Sequence, residues 1–411
     1  MVGLLYPIEW GLDRIAKMNE TPWWTALPQD FSRNPYQTSI DSRYAFKIKA
    51  AAAVDILMRT GLASMVTLAI TANLASRKKL ERDLELVKFY KSYADRADID
   101  EVFPRPPKHV EVTPLKPRLF GYKPKGVHFE LLGFQSPYVA LHPAMREAYA
   151  RHEYSHEVVA QYWRHPDGAR PTLIFLHGYF ADSFWFNSTM FSLRWFYKKG
   201  YDILLYTMPF HGYRSDRFDL FSGIGIVAHG LSHMNEVFLQ TVYDLRIWID
   251  YLQQQGAPAI GVSGLSLGGY ISALMASVDD RLAFAIPNAP AVMLVDTALM
   301  LQPLNWILYQ QMARFNIDVS EFRHVTAVHC PLTWQPVISP GRLLVIGGAG
   351  DRFTLPQFVQ KLHEHWSGSQ IHWFPGNHAM HLHQGEYLRL MRRFMDRCCA
   401  ETNTAFSIPP G

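Results

Sequence analysis

The sequence predicts an α/β fold, a mostly parallel sheet with helices on both faces, and three observations carry that expectation. Short apolar runs alternate with helix-like segments from about residue 127 to residue 400. Several runs, among them TLIFL at 172–176, DILLYT at 202–207 and RLLVIG at 342–347, are almost continuously apolar. One run leads through a glycine-bracketed serine straight into a small-residue helix. A strand that is apolar at successive positions is buried on both faces, which is the condition of a parallel sheet covered by crossover helices.

The elements follow in order. Residues 1–102 form a helical N-terminal extension: 44–75 and 78–93 hold good helix formers and no proline, and Leu80, Leu84, Val87 and Tyr90 keep the spacing of one apolar face. Residues 103–126 contain six prolines. Proline lacks the amide proton and fixes φ, so this stretch reads as an extended connector. The main domain spans 127–400, with strands at 127–132, 157–163, 172–176, 202–207, 259–263, 282–287, 342–347 and 370–374. Helices are expected at 188–199, 236–255, 267–277, 356–366 and 386–399. Residues 288–341 interrupt the alternation with a Leu-, Met- and Trp-rich helical insertion, and 401–411 form a tail.

Composition excludes several classes. With 48% hydrophobic and 18% charged residues the chain is not disordered, and no series of long apolar spans marks a polytopic membrane protein. The net charge is only +4, without a dense Lys/Arg block, so nucleic acid is not an expected partner. Three cysteines, Cys330, Cys398 and Cys399, make no disulfide framework and fit a reducing, cytoplasmic setting. Met1 to Trp24 lacks the pattern of a secretory leader. Residues 60–75 are uncharged but short of the roughly 20 residues of a spanning helix, which leaves a helix packed on the protein, an interfacial helix or a span. Peripheral membrane contact through 44–76 is the associated expectation.

The chemistry centres on Gly264-Leu265-Ser266-Leu267-Gly268-Gly269, between the strand AIGVS and the helix LGGYISALMAS. A serine on a sharp strand-to-helix turn presents its hydroxyl above the strand ends, and only small neighbours let strand and helix pass so closely. A hydroxyl needs a general base and an orienting acid. Asp351, after RLLVIG, and His378, after QIHWF, follow in the expected order at two later strand ends. Asp351 could instead cap the helix near Pro356, and Asp296 is the alternative acid. His381 and His383 are read as the start of the last helix. The spacing of these three histidines fits no zinc motif, and neither metal nor cofactor is expected. Amides of Leu267 and of Tyr179, after TLIFL, are candidates for an oxyanion hole. His177 reads as structural, and His211 as shaping its loop.

Together LHGY at 176–179, MPFHGYR at 208–214, GLSLGG at 264–269, GGAGD at 347–351 and GNH at 376–378 resemble the α/β-hydrolase superfamily over residues 125–400. The resemblance implies an eight-stranded sheet whose first strands are antiparallel, a lid at 288–341, and a serine-hydrolase mechanism. Met208 departs from the aspartate often found at that place in the family. The N-terminal part with QSP at 135–137 is similar to the α/β-hydrolase domain-containing-protein-eighteen type. The lid and the aromatic loop after Tyr179 favour an apolar small-molecule ester, with Phe180, His211, Met293 and Trp306 as pocket candidates. A thioesterase, acyltransferase or amidase would use the same three residues, and a non-catalytic binding module is the alternative of another class.

Overall fold

The computed structural model describes residues 21–407, apart from 41, 75, 97 and 118–120. Most of the stretch read as lacking a leader, and the last four residues of the expected tail, lie outside the described residues.

Among the described residues nine strands form one sheet: β1 (Thr113–Pro114), β2 (Phe129–Gln135), β3 (Glu157–Trp163), β4 (Thr172–Leu176), β5 (Asp202–Tyr206), β6 (Ile260–Leu265), β7 (Phe284–Asn288), β8 (Leu344–Gly348) and β9 (Gln370–Phe374). Their order is β1-β2-β3-β5-β4-β6-β7-β8-β9. The first three pairings are antiparallel and the rest parallel. The ninth strand, additional to the implied eight, comes from the proline-rich connector. It lasts two residues at the sheet edge, the place in a sheet where proline is tolerated.

Alternate residues of the central strands feed two cores. Ile174 and Leu176 of β4 and Leu204 and Tyr206 of β5 face one core, while Leu173, Phe175, Ile203 and Leu205 face the other. The first is covered by α4 (Leu231–Gln254), α5 (Leu267–Val278) and α9 (Pro356–His365), through Leu245, Trp248, Ile271, Leu274, Phe358 and Val359. The second is covered by α10 (Gln384–Ser407) through Tyr387, Met391 and Phe394. α10 runs through most of the expected tail. The helix expected at 188–199 is divided into α3 (Phe184–Met190) and a short helix from Leu193, because Ser192 takes φ 52°, a left-handed angle that no α-helix continues through.

The insertion is helical, with α6 (Leu294–Ala298), α7 (Leu304–Phe315) and α8 (Val319–Thr326). The N-terminal helices pack back onto the sheet domain. α1 (Ala45–Leu74) is a single helix of 30 residues, and α2 (Arg77–Ala94) contributes Tyr90 and Ala94 to the first core. Asp83 of α2 accepts hydrogen bonds from the amides of Leu231 at 2.7 Å and Ser232 at 3.1 Å, so it caps α4 from outside that helix. By length and composition Ser42–Thr71 could cross a membrane; 28% of its most apolar stretch is buried against the protein.

Candidate active site

The turn between β6 and α5 forces Ser266 to φ 56° and ψ −111°, a conformation that costs a non-glycine residue energy and persists only where packing imposes it. The packing is visible at Gly268, where an added Cβ would lie 2.0 Å from the Leu176 carbonyl oxygen of β4. Helix and strand therefore meet backbone to backbone. Ser266 is half-buried and opens onto a cavity of about 560 Å³. Gly178, Tyr179, Leu267 and His378 open onto the same cavity. As the first residue of α5, Leu267 has no hydrogen-bond acceptor for its amide within the helix.

His378 enters from the loop after β9. Its Nδ1 lies 2.7 Å from Oδ2 of Asp351, which is fully buried in the loop after β8. Asp351 also accepts the amides of Phe353 and Thr354 and the Thr354 hydroxyl, each at 2.8 Å. These bonds fix the carboxylate, and the Nδ1 contact fixes the imidazole tautomer that leaves Nε2 without a proton. Burial works against charging His378, but Asp351, its hydrogen bond and Asp55 outweigh burial and hold its pKa above the usual histidine value. The ring of Phe353 stacks on His378 at 4.9 Å.

The alternatives are engaged elsewhere. Asp296 is in a buried pair with Arg323, at 2.9 and 2.5 Å. His381 bonds the Tyr387 hydroxyl at 2.6 Å and is pushed down to about 4, mainly by burial. Neither His381 nor His383 lies in α10, which begins at Gln384; His383 has φ 58°, outside helical angles. His177 Nε2 accepts the Met208 amide at 3.1 Å, and His211 bonds the Pro209 carbonyl at 3.0 Å, both fully within the protein.

Of the four pocket candidates, Phe180 lines the cavity and the other three do not. His211 is sealed beneath Tyr179, Met293 is 1% exposed in the first core, and Trp306 points outward at 65% exposure. Amphipathic spacing in the insertion puts some apolar residues inward and some outward, and sequence cannot say which. The residues of the insertion that do line the cavity include Leu294, Leu301, Leu304 and Leu308.

The largest omission from the sequence reading is α1. Met58, Leu62, Ala63, Val66 and Ile70 form one wall of the cavity. Asp55 Oδ2 accepts the backbone amides of Arg352 at 2.9 Å and His378 at 3.0 Å. Arg59 donates to the Arg352 carbonyl at 2.7 Å, and Asn377 donates to the Ala51 carbonyl at 2.6 Å. An added Cβ at Gly350 would approach the Ile48 carbonyl to 2.8 Å. One helix thus holds the acid loop and the histidine loop together. Burial, then the nearby Asp351 charge, raise Asp55 to about 6. The sequence shows only that Asp55 and Arg59, four residues apart, share one face within a largely apolar stretch, with no sign of what they bind.

Comparison with known proteins agrees with this architecture. An uncharacterised protein of Mycobacterium tuberculosis strain H37Rv is 30% identical over 222 residues, 53% of this chain and 51% of the relative; the chain thus spans about half the length of the curated relatives it matches. An acetyl xylan esterase from Paenibacillus sp. R4 has a TM-score of 0.51 at 16% identity, over 77% of this chain and 93% of that one. Acetyl xylan esterase 1 from Thermoanaerobacterium sp. JW/SL YS485 has a TM-score of 0.53 at 17% identity, over 75% and 93%. At such identities the likeness is one of fold. A model of the alpha/beta hydrolase family matches residues 173–390, from the strand before Tyr179 through the loop that carries His378, and the chain belongs to that family.

Proposed function

We propose that the protein is a serine esterase acting on carboxylic esters with a long apolar part. The observation that carries this reading is a serine on a strained elbow and a histidine fixed by a buried carboxylate, both opening onto one apolar cavity. In this reading His378 Nε2 takes the proton of the Ser266 hydroxyl, whose oxygen attacks the ester carbonyl carbon. The amides of Tyr179 and Leu267 hold the oxyanion. Collapse expels the alcohol, protonated by His378, and leaves an acyl-enzyme. Water, deprotonated by the same imidazole, then releases the acid. The apolar lining from α1 and the insertion supports a long acyl or alcohol part, and the exposed Phe46, Leu57 and Leu68 on α1 support delivery of that substrate from a lipid surface.

A fluorophosphonate probe is expected to label the protein and to leave Ser266→Ala unlabelled, with a rate loss of about 10⁴-fold or more in that variant. In a series of nitrophenyl esters, kcat/KM is expected to rise from acetate to longer acyl chains. Labelling of the alanine variant would overturn the nucleophile, and a strict acetate preference would overturn the substrate class.

A further inference from the structure

We propose that His152, His229 and His233 bind a single divalent late first-row transition ion, zinc in the first instance. His152 lies before β3, His229 ends the short helix Ile224–Ala228, and His233 sits in the first turn of α4. One ring nitrogen of each lies within 4.8 Å of the others. The ring centroids are 4.7, 5.0 and 4.8 Å apart. Nothing in the hydrolytic chemistry above uses these residues, and none of them lines the cavity.

The donor states suit a cation. His152 Nδ1 is 2.5 Å from Asp216 Oδ2, so the carboxylate takes that N–H and leaves the lone pair of Nε2 directed elsewhere. A carboxylate behind a ligating imidazole is the usual orienting partner in metal sites, and it supplies negative charge against the ion. His233 is 2% exposed, and its Nε2 has no hydrogen-bond partner among the described residues. A buried imidazole nitrogen left unpaired is unfavourable, and a metal bond satisfies it. The ring of Phe210 closes the cluster on one side, while His229 is exposed on the other. Three imidazoles with one side open to water match a tetrahedral zinc site whose fourth ligand is solvent. Ligands of such an ion, at about 2.0–2.1 Å from it, lie roughly 3.3 Å apart, so the nitrogens have to close by at most about 1.5 Å, through turns of the half-buried His152 and the exposed His229 toward His233.

Imidazole donors favour zinc, copper, nickel and cobalt over magnesium and calcium. The bound ion would join three segments. Gly230, Leu231 and Met234, interleaved with His229 and His233, line the cavity, so the ion would stiffen that wall without taking part in the reaction.

The test uses the untagged full chain, stripped of metal by a chelator and titrated with Zn²⁺ by calorimetry, with melting followed in parallel. The expected result is one equivalent bound and a raised melting temperature, both lost in His229→Ala and both retained in His109→Ala, a change at an exposed histidine elsewhere. Metal-free His229→Ala should melt with the metal-free parent, which separates loss of a ligand from loss of the fold. Co²⁺ in place of Zn²⁺ should give the visible spectrum of a four-coordinate ion. Equal zinc binding by the parent and His229→Ala, or equal loss in His109→Ala, would overturn the proposal.

Discussion

Asp55 is the residue on which local energy and chemistry conflict. Its carboxylate holds the amides of Arg352 and His378, yet burial and the neighbouring Asp351 oppose its ionisation and raise it to about 6. An unfolded aspartate titrates near 3.9. Stability linked to Asp55 is therefore fully present below about pH 4, is lost as pH rises toward 6, and stays lost above it. Asp55→Asn keeps an acceptor oxygen and removes the charge. It is expected to raise urea stability at pH 8 by on the order of 1 kcal/mol, with little gain at pH 4. The same change removes a charge that helps raise the His378 pKa, so, with His378 as the proposed base, the acid limb of kcat/KM should move to lower pH. An unmoved limb would disconnect Asp55 from the histidine. The strand-end placement of Ser266, Asp351 and His378 was legible because each follows an apolar run in a recognisable order. Asp55 was not, because its partners lie about three hundred residues away and nothing local in AAAVDILMRT names them.

At the scale of elements, α2 does more than cover the domain. Asp83 supplies two helix-terminal amides of α4 with acceptors, in a place where Gly230 offers no side chain. Asp83→Ala is expected to destabilise the protein by about 1–2 kcal/mol in denaturant melts, the usual effect of losing a cap. A change within error would mean that water replaces the carboxylate. The regular elements were read well where burial is two-sided, as in β4, β5 and β8, because a continuous apolar run admits few other structures. The reading slipped where one residue decides. Ser192 breaks a helix through its left-handed backbone, and Thr113–Pro114 joins the sheet from a stretch whose prolines argue against strand.

For the whole molecule, the helices expected to form a separate N-terminal extension pack directly on the sheet domain. α2 shares the first core, and α1 holds the loops that carry Asp351 and His378. Apolar residues of α1 also point away from the protein, with Phe46 at 83%, Leu57 at 76% and Leu68 at 82% exposure. Basic residues flank them at Lys47, Lys49, Arg77, Lys78 and Lys79. In flotation with vesicles containing anionic lipid, the parent is expected to rise with the lipid, and Phe46→Ser/Leu57→Ser/Leu68→Ser to remain below while keeping activity on a soluble short ester. Equal flotation by both would remove the lipid surface from the reading.

The double use of α1 has a consequence for how its sequence can drift. Along thirty residues, positions such as Ala51, Asp55 and Ala63 answer to the Asp351 and His378 loops and the cavity, while Phe46, Leu57 and Leu68 answer to whatever lies outside. The two sets alternate with the turn of the helix, about 3.6 residues. Tolerance to substitution should therefore rise and fall with that period, lowest at the inner positions. A change at Asp55 would then be felt at the loops of Asp351 and His378, although it lies about three hundred residues before them.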